Sequence, residues 1–231
     1  MKRINLVTSI LTVMLLLWVM QPVFAQSEST RSQVDKKHDD IESLYARVYR
    51  ILDKYPEVRY SYEFQDGLVT GVTINGVPNE VDRLNLESNL LRIEGIKNEI
   101  INKKSSSGIY YVTEEGAKPK NGYVEFYREL QHKLIYPKDA SKHNVEGTII
   151  AKFVVDARGN IEDVSTSTSI ETPFKLAVID MQNEVKRIVQ STSGEWIPAK
   201  VGGEPVDQWV SIPVEFTLKD DFDSYYPNYP L

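Results

Sequence analysis

The chain has 231 residues, of which 41% are apolar and 26% charged, an ordinary balance for a globular protein of one or two domains. Its net charge of −6 supplies no basic field to gather phosphates, which argues against a nucleic-acid partner. Cysteine is absent. That excludes disulfides, thiolate nucleophiles, thiolate metal sites and a lipid-modified N-terminal cysteine.

The first 25 residues read as a secretory signal peptide: Lys2 and Arg3 precede an apolar stretch densest from Ile10 to Met20, and Pro22, Val23 and Ala25 prepare cleavage before Gln26. The alternative is an uncleaved membrane anchor, since Ile4 to Met20 could span with about 17 residues. Either reading exports the rest of the chain, with the periplasm as the expected location. Residues 26–37 are polar and without periodicity, and are expected to be a flexible leader.

From His38 the spacing of Ile41, Leu44, Tyr45, Val48, Ile51, Leu52 and Tyr55 predicts a helix that Pro56 ends. Arg59 to Phe64 and Leu68 to Ile74 alternate around Gln65-Asp66-Gly67, the signature of a hairpin. A second helix is predicted over 79–104, with Leu84, Leu91, Ile93, Ile96 and Ile100 among its apolar positions, and Ile109 to Val112 can add a strand. Residues 38–112 thus form a small α+β unit, and the Lys-, Pro- and Gly-rich stretch after Thr113 marks the boundary.

The second unit, 113–219, opens with a helix carrying Tyr123, Phe126, Tyr127, Leu130 and Leu134 on one face. Tyr136-Pro137 closes it. A strand over 146–156 buries Ile149, Ala151, Phe153 and Val155, Gly159 sits in the following turn, and a polar strand returns over 161–168. The next helix begins at Thr172, read as an N-cap with Pro173 at the first helical position, and buries Phe174, Ala177, Val178, Met181, Val185 and Ile188. Residues 220–231 form an acidic, aromatic tail.

No constellation for catalysis emerges. His38, His132 and His143 have no partner at His-Glu-x-x-His spacing and are expected at the surface; no Gly-x-Ser-x-Gly elbow or phosphate-binding glycine loop occurs. Adjacent carboxylates such as Asp39-Asp40 read as solvated charge, and Asp156 to Asn160 as a turn. The reading is therefore of a non-enzyme without catalytic residues, metal ligands or a cofactor.

The last strand poses the sharper question. Val210, Ile212, Val214, Phe216 and Leu218 share one face, while Trp209, Ser211, Pro213, Glu215 and Thr217 share the other. Pro213 in its middle cannot donate to a ladder, so this strand is expected at the edge of a small sheet. An exposed edge is a hazard unless it is made to receive another strand. Trp196 is expected in the core, and Trp209, on the opposite face, is the better candidate for contact with a partner.

These residues also carry a resemblance. Tyr136-Pro137 with Ala140, Glu146-Gly147 opening a strand that ends Phe153-Val154-Val155-Asp156, Gly159 and Ile161, then Trp196-x-Pro198-Ala199, Gly203-x-Pro205-Val206 and Ile212-Pro213-Val214-x-Phe216 follow in order. Together they resemble the C-terminal domain of TonB family proteins, in the form common in Bacteroidetes, over about residues 119–219. The resemblance implies an α+β fold of order helix–strand–strand–helix–strand. It implies a periplasmic protein that grips outer-membrane TonB-dependent receptors, pairing the receptor's TonB-box peptide with its last strand in energised transport. The implied contact residues are Gln208, Trp209, Val210, Ser211, Ile212, Pro213, Val214 and Glu215, with Tyr136, Pro137, Pro205 and Val206 nearby. An uncleaved N-terminus would add an inner-membrane proton-channel complex as partner, although the apolar segment lacks histidine and no Pro/Lys-rich spacer follows it. The alternative is a structural or adaptor protein that uses the same domain for another envelope partner.

Overall fold

The computed structural model describes residues 33–55, 57–65 and 68–218. The residues expected to form the signal peptide and the start of the leader, Pro56, Asp66-Gly67 at the expected hairpin turn, and the expected tail lie outside the described residues. Buried apolar side chains gather into two clusters, one built from residues 34–100 and one from residues 117–216.

Helix α1 is described over 33–54. It therefore includes residues expected in a flexible leader. The reason is Val34, which lies two turns before Ile41 on the same stripe and is 2% exposed. Strands β1 (Arg59–Gln65) and β2 (Leu68–Asn75) pair antiparallel, Gln65 opposite Leu68, with a bulge at Glu63/Phe64. Helix α2 (Glu80–Ile100) starts at Asn79, whose side chain accepts from the Asp82 N–H at 2.9 Å. Its buried stripe is Leu86, Leu90, Ile93, Ile96 and Ile100, while Leu84, one of the expected apolar positions, is 50% exposed. The 3.6-residue period that runs back from Ile100 through Leu90 and Leu86 leaves Leu84 on the solvent side.

The expected strand at 109–112 is not formed. Tyr110 instead makes single bridges, to Lys104 and to Gln208, inside an irregular connection. Strand β3 (Lys118–Pro119) then pairs with β6 (Trp196–Ile197). Helices α3 (Gly122–Lys133) and α4 (Lys138–Lys142) follow, and the latter supplies the buried Ala140.

Strand β4 (Gly147–Val155) is the centre of a three-stranded antiparallel sheet, flanked by β5 (Ile161–Thr168) and β9 (Gln208–Phe216). The turn between β4 and β5 is built by Asp156, whose Oδ1 accepts from the N–H groups of Arg158 and Asn160, both at 2.8 Å. Gly159 within it has φ +86°, and a Cβ there would lie 2.2 Å from the Trp196 carbonyl oxygen. Helix α5 (Lys175–Gln190) begins after Phe174 rather than at Thr172. The Thr172 hydroxyl accepts from Phe174 N–H at 3.3 Å, so it closes a local turn one step ahead of the helix. Strands β7 (Ala199–Val201) and β8 (Glu204–Val206) form a hairpin on Gly202 and Gly203, both at positive φ.

Ile149, Ala151, Phe153 and Val155 from β4 meet Ile212, Val214 and Phe216 from β9 on one sheet face. Phe126, Leu130, Val178, Met181, Val185 and Ile188 of α3 and α5 cover that face. Trp196 is in this core as expected, 1% exposed, edge-on to Phe126 and Phe153.

Helix α1 covers the other sheet face. Glu42 pairs with Lys152 at 2.6 Å, and Asp53 accepts from the Thr148 hydroxyl at 2.7 Å. The eleven-residue step along α1 is about 16 Å, and the matching four-residue step along β4 is about 13 Å. The helix therefore runs along β4 in the opposite direction. Thr148, Val154 and Pro213, all on this face by strand alternation, are buried.

Candidate functional site

The alternation of β9 decides which of its backbone groups are available. Val210, Ile212, Val214 and Phe216 face the helices, and Val210 alone of these is only partly buried. Leu218, expected on the same face, lies past the strand end, where its N–H donates to Glu146 Oε1 at 2.5 Å. Trp209, Ser211, Pro213 and Glu215 stand opposite Val154, Lys152, Ile150 and Thr148 on the face that α1 crosses.

In an antiparallel ladder a residue sends its N–H and C=O to the same side, and successive residues alternate sides. Trp209 N–H donates at 2.8 Å to the Tyr110 carbonyl, away from β4. The outward groups are therefore those of Trp209, Ser211, Pro213 and Glu215, and the residues that pair toward β4 are Gln208, Val210, Ile212, Val214 and Phe216. Pro213 falls in the outward set. Its missing N–H costs the β4 ladder nothing.

The expectation of an edge open from Gln208 to Glu215 needs correction at both ends. At the start, Tyr110 donates to the Asp207 carbonyl at 3.1 Å and accepts from Trp209, a parallel bridge centred on Gln208. At the end, the Glu215 carbonyl accepts from Gln131 Nε2 of α3 at 3.2 Å. The cause is the same in both places: elements packed beside the sheet bring polar groups that satisfy strand ends. What remains without a partner among the described residues is the Trp209 carbonyl, both Ser211 groups, the Pro213 carbonyl and the Glu215 N–H. Ser211 is exposed, whereas Pro213 is buried on the face beneath α1.

The flanking residues do not converge. Tyr136 packs edge-on against Phe216, ring centres 5.3 Å apart, and its hydroxyl donates to the Val145 carbonyl at 2.8 Å. Pro205 and Val206 sit in β8, just ahead of Gln208. Tyr136-Pro137 and Pro205-Val206 thus mark opposite ends of β9, separated by about 26 Å of extended strand. Gln208 is buried and structural: its Oε1 accepts from Ala117 N–H at 2.7 Å and its Nε2 donates to the Tyr111 carbonyl at 3.3 Å. Trp209 is half-buried, with the Lys152 ammonium 5.2 Å from its ring centre.

Glu215 and His38 are among the titratable groups shifted around this sheet. Burial, reinforced by Asp53 and Glu146, pushes the Glu215 carboxyl up to about 7. Burial and the Lys152 charge hold the His38 imidazole down at about 3, against a smaller opposing effect of Asp35. His38 is not at the surface as expected; it is 8% exposed and stacked on Tyr111, ring centres 3.6 Å apart. The stripe Val34, His38, Ile41, Tyr45, Val48 already places it on the inward face of α1, and that is the signal that reveals it. His38, Asp39 and Glu42 bring donor atoms within 4.8 Å of one another. The Lys152 ammonium already holds the Glu42 carboxylate, which makes this cluster an ion-pair seat between the two units.

Residues 132–218 match the family model described as the Gram-negative bacterial TonB protein C-terminal. An L-Ala-D/L-amino acid epimerase of Maribacter sp. (strain HTCC2170 / KCCM 42371) is 29% identical over 118 residues, which cover 48% of this chain and 32% of that protein. The chain therefore spans about a third of the length of the curated relative it matches. The NMR solution structure of the Helicobacter pylori TonB C-terminal domain is 22% identical and covers 42% of this chain and 95% of that one, with a TM-score of 0.32.

Proposed function

We propose, from the match of residues 132–218 to the TonB C-terminal family model, that the chain is a periplasmic TonB-like protein that binds outer-membrane TonB-dependent receptors by strand addition. The observation that carries the reading is the outward edge of β9 between Trp209 and Glu215, within the matched domain, where backbone groups have no partner strand among the described residues. An extended receptor segment pairs there through its main chain. Side-chain identity matters little in such pairing, which suits a protein serving several receptors.

Affinity on this reading is modest. Each backbone hydrogen bond contributes about 0.5–1.5 kcal/mol net. Few are available, and ordering an extended peptide opposes them, so the dissociation constant is about micromolar or weaker. No helix among the described residues is long and apolar enough to cross a membrane. The adaptor reading draws on a different observation, the docking of α1 across the sheet through Glu42–Lys152 and Asp53–Thr148. There, residues 33–112 would select the envelope partner.

The test is titration of synthetic peptides, covering the N-terminal segments of the TonB-dependent receptors encoded in the same genome, against the wild-type chain and Ser211→Pro. The Ser211 amide points outward, so its loss should weaken capture at least tenfold and leave the thermal melt within a few degrees of wild type. Equal binding by both proteins overturns the mechanism.

A further inference from the structure

Tyr110 lies outside the matched domain, yet its backbone stands where a partner strand would stand. Its N–H reaches the Asp207 carbonyl at 3.1 Å and its carbonyl receives the Trp209 N–H at 2.8 Å. These are the two bonds of parallel pairing around Gln208. The pairing stops there, because residues 109–112 form no strand.

Apart from the Tyr111 carbonyl, which accepts from Gln208 Nε2 at 3.3 Å, the rest of the segment is held from the opposite side. Ser105 N–H donates to the Ile109 carbonyl at 2.9 Å, and Asn102 N–H to the Val112 carbonyl at 2.8 Å. The Tyr111 ring lies on His38 of α1, and its hydroxyl donates to Asp35 at 3.2 Å. Tyr110 is thus carried by the N-terminal unit and presented to the edge of the C-terminal sheet. It touches that edge at the outward groups of Asp207 and Trp209, the same groups a strand extending past Ser211 would need. Pro213 cannot donate, so this end offers the more regular continuation of a ladder.

We propose that residues 109–111 are a built-in plug on the strand-pairing edge, an intramolecular competitor that an incoming extended segment must displace; this rests on the strand-addition reading above. The plug is an irregular segment that meets the strand through two backbone bonds and the Gln208 Nε2–H bond to the Tyr111 carbonyl, whereas β9 holds β4 along nine residue pairs. Segments of that kind open at lower free energy than the sheet they rest on. The apparent affinity for a segment that pairs at this end is then reduced by the fraction of molecules in which the plug is off.

Residue-resolved amide exchange on the chain tests the opening without any ligand. Trp209 N–H is bonded to the plug, while Val210 and Ile212 N–H pair toward β4, so Trp209 and Tyr110 should exchange at least tenfold faster than Val210 and Ile212. Equal rates, meaning that the plug leaves only when the sheet unfolds, overturn the proposal. The second arm titrates the same synthetic receptor peptides against Tyr110→Pro, which lacks the donor to Asp207. Binding at least tenfold tighter than wild type is expected. Peptides that bind both proteins equally overturn the plug and leave the receptor reading intact. Early Trp209 exchange with no peptide bound by either protein overturns the receptor reading, while the opening of the plug stands.

Discussion

Replacing Trp196 with Ala probes the core that holds the β9 edge in place. The indole is 1% exposed, with ring centres 5.2 Å from Phe126 and 5.3 Å from Phe153, and its Nε1–H donates to the Thr192 hydroxyl at 3.2 Å. Truncating a buried aromatic to Ala costs about 3–5 kcal/mol. Two edge-to-face pairs, each contributing about 0.5–1.5 kcal/mol, push toward the upper part of that range. The lost hydrogen bond adds less than usual, because the Thr192 hydroxyl still donates to the Val189 carbonyl at 2.8 Å and no buried donor is stranded. A loss of about 4 kcal/mol follows. With a urea slope of about 1–3 kcal/mol per molar, the midpoint should fall by at least about 1.3 M. Trp209→Ala is the internal comparison: that ring is half-buried, and its loss removes the Lys152 cation–π contact, about 0.5–1 kcal/mol. Urea melts followed by helical circular dichroism measure both variants. Midpoint losses of equal size would refute the assignment of Trp196 to the core and Trp209 to the opposite face.

Two further outcomes are expected from the same sheet. Gly159→Ala should destabilise by about 1–3 kcal/mol, the range for a strained backbone position, because φ is +86° and the new methyl would meet the Trp196 carbonyl; a melt unchanged from wild type contradicts this. Glu215 carries a pKa raised to about 7, so the folded state holds a proton that the unfolded state releases above about 4.3. Its contribution to stability is complete below about pH 4.3 and is lost as pH rises to 7. Glu215→Gln should therefore gain stability relative to wild type across that window. A difference between the two proteins that stays flat from pH 4.5 to 7 would show that the carboxyl is not protonated in the fold.

Strands β4 and β9 and helix α5 were legible in the sequence because each carries one regular apolar stripe, and a stripe reports period directly. The partner of the opposite stripe is not reported in that way. Glu42 and Asp53 look like solvated charge along α1, and Thr148 and Lys152 like the polar face of a strand. In the fold each finds its counterpart across the seam between the two units. The same blindness explains Tyr110. Ile109 to Val112 has the composition of a strand, but isolated bridges from Tyr110 to Lys104 and Gln208 are all the connection allows. His38 shows the reverse error. Its place in the stripe from Val34 to Val48 is visible in the sequence, whereas the lack of a ligand motif points to the surface, and the stripe prevails.

The proline in the best-patterned strand now has a physical account. Strand β9 needs its amides only at alternate residues, and Pro213 takes a position whose amide would have pointed away from β4. The proline leaves the ladder whole and offers one donor fewer at the edge. An uninterrupted edge of nine residues would pair with any exposed strand, including another copy of itself. Here Tyr110 occupies one end, Gln131 satisfies the carbonyl at the other, and Pro213 interrupts the middle. Ser211 is left as the one residue between Trp209 and Glu215 that offers both donor and acceptor outward. On the proposed strand-addition reading, a partner strand takes its register from Ser211, which makes that residue the point at which the proposed pairing is most sensitive to substitution.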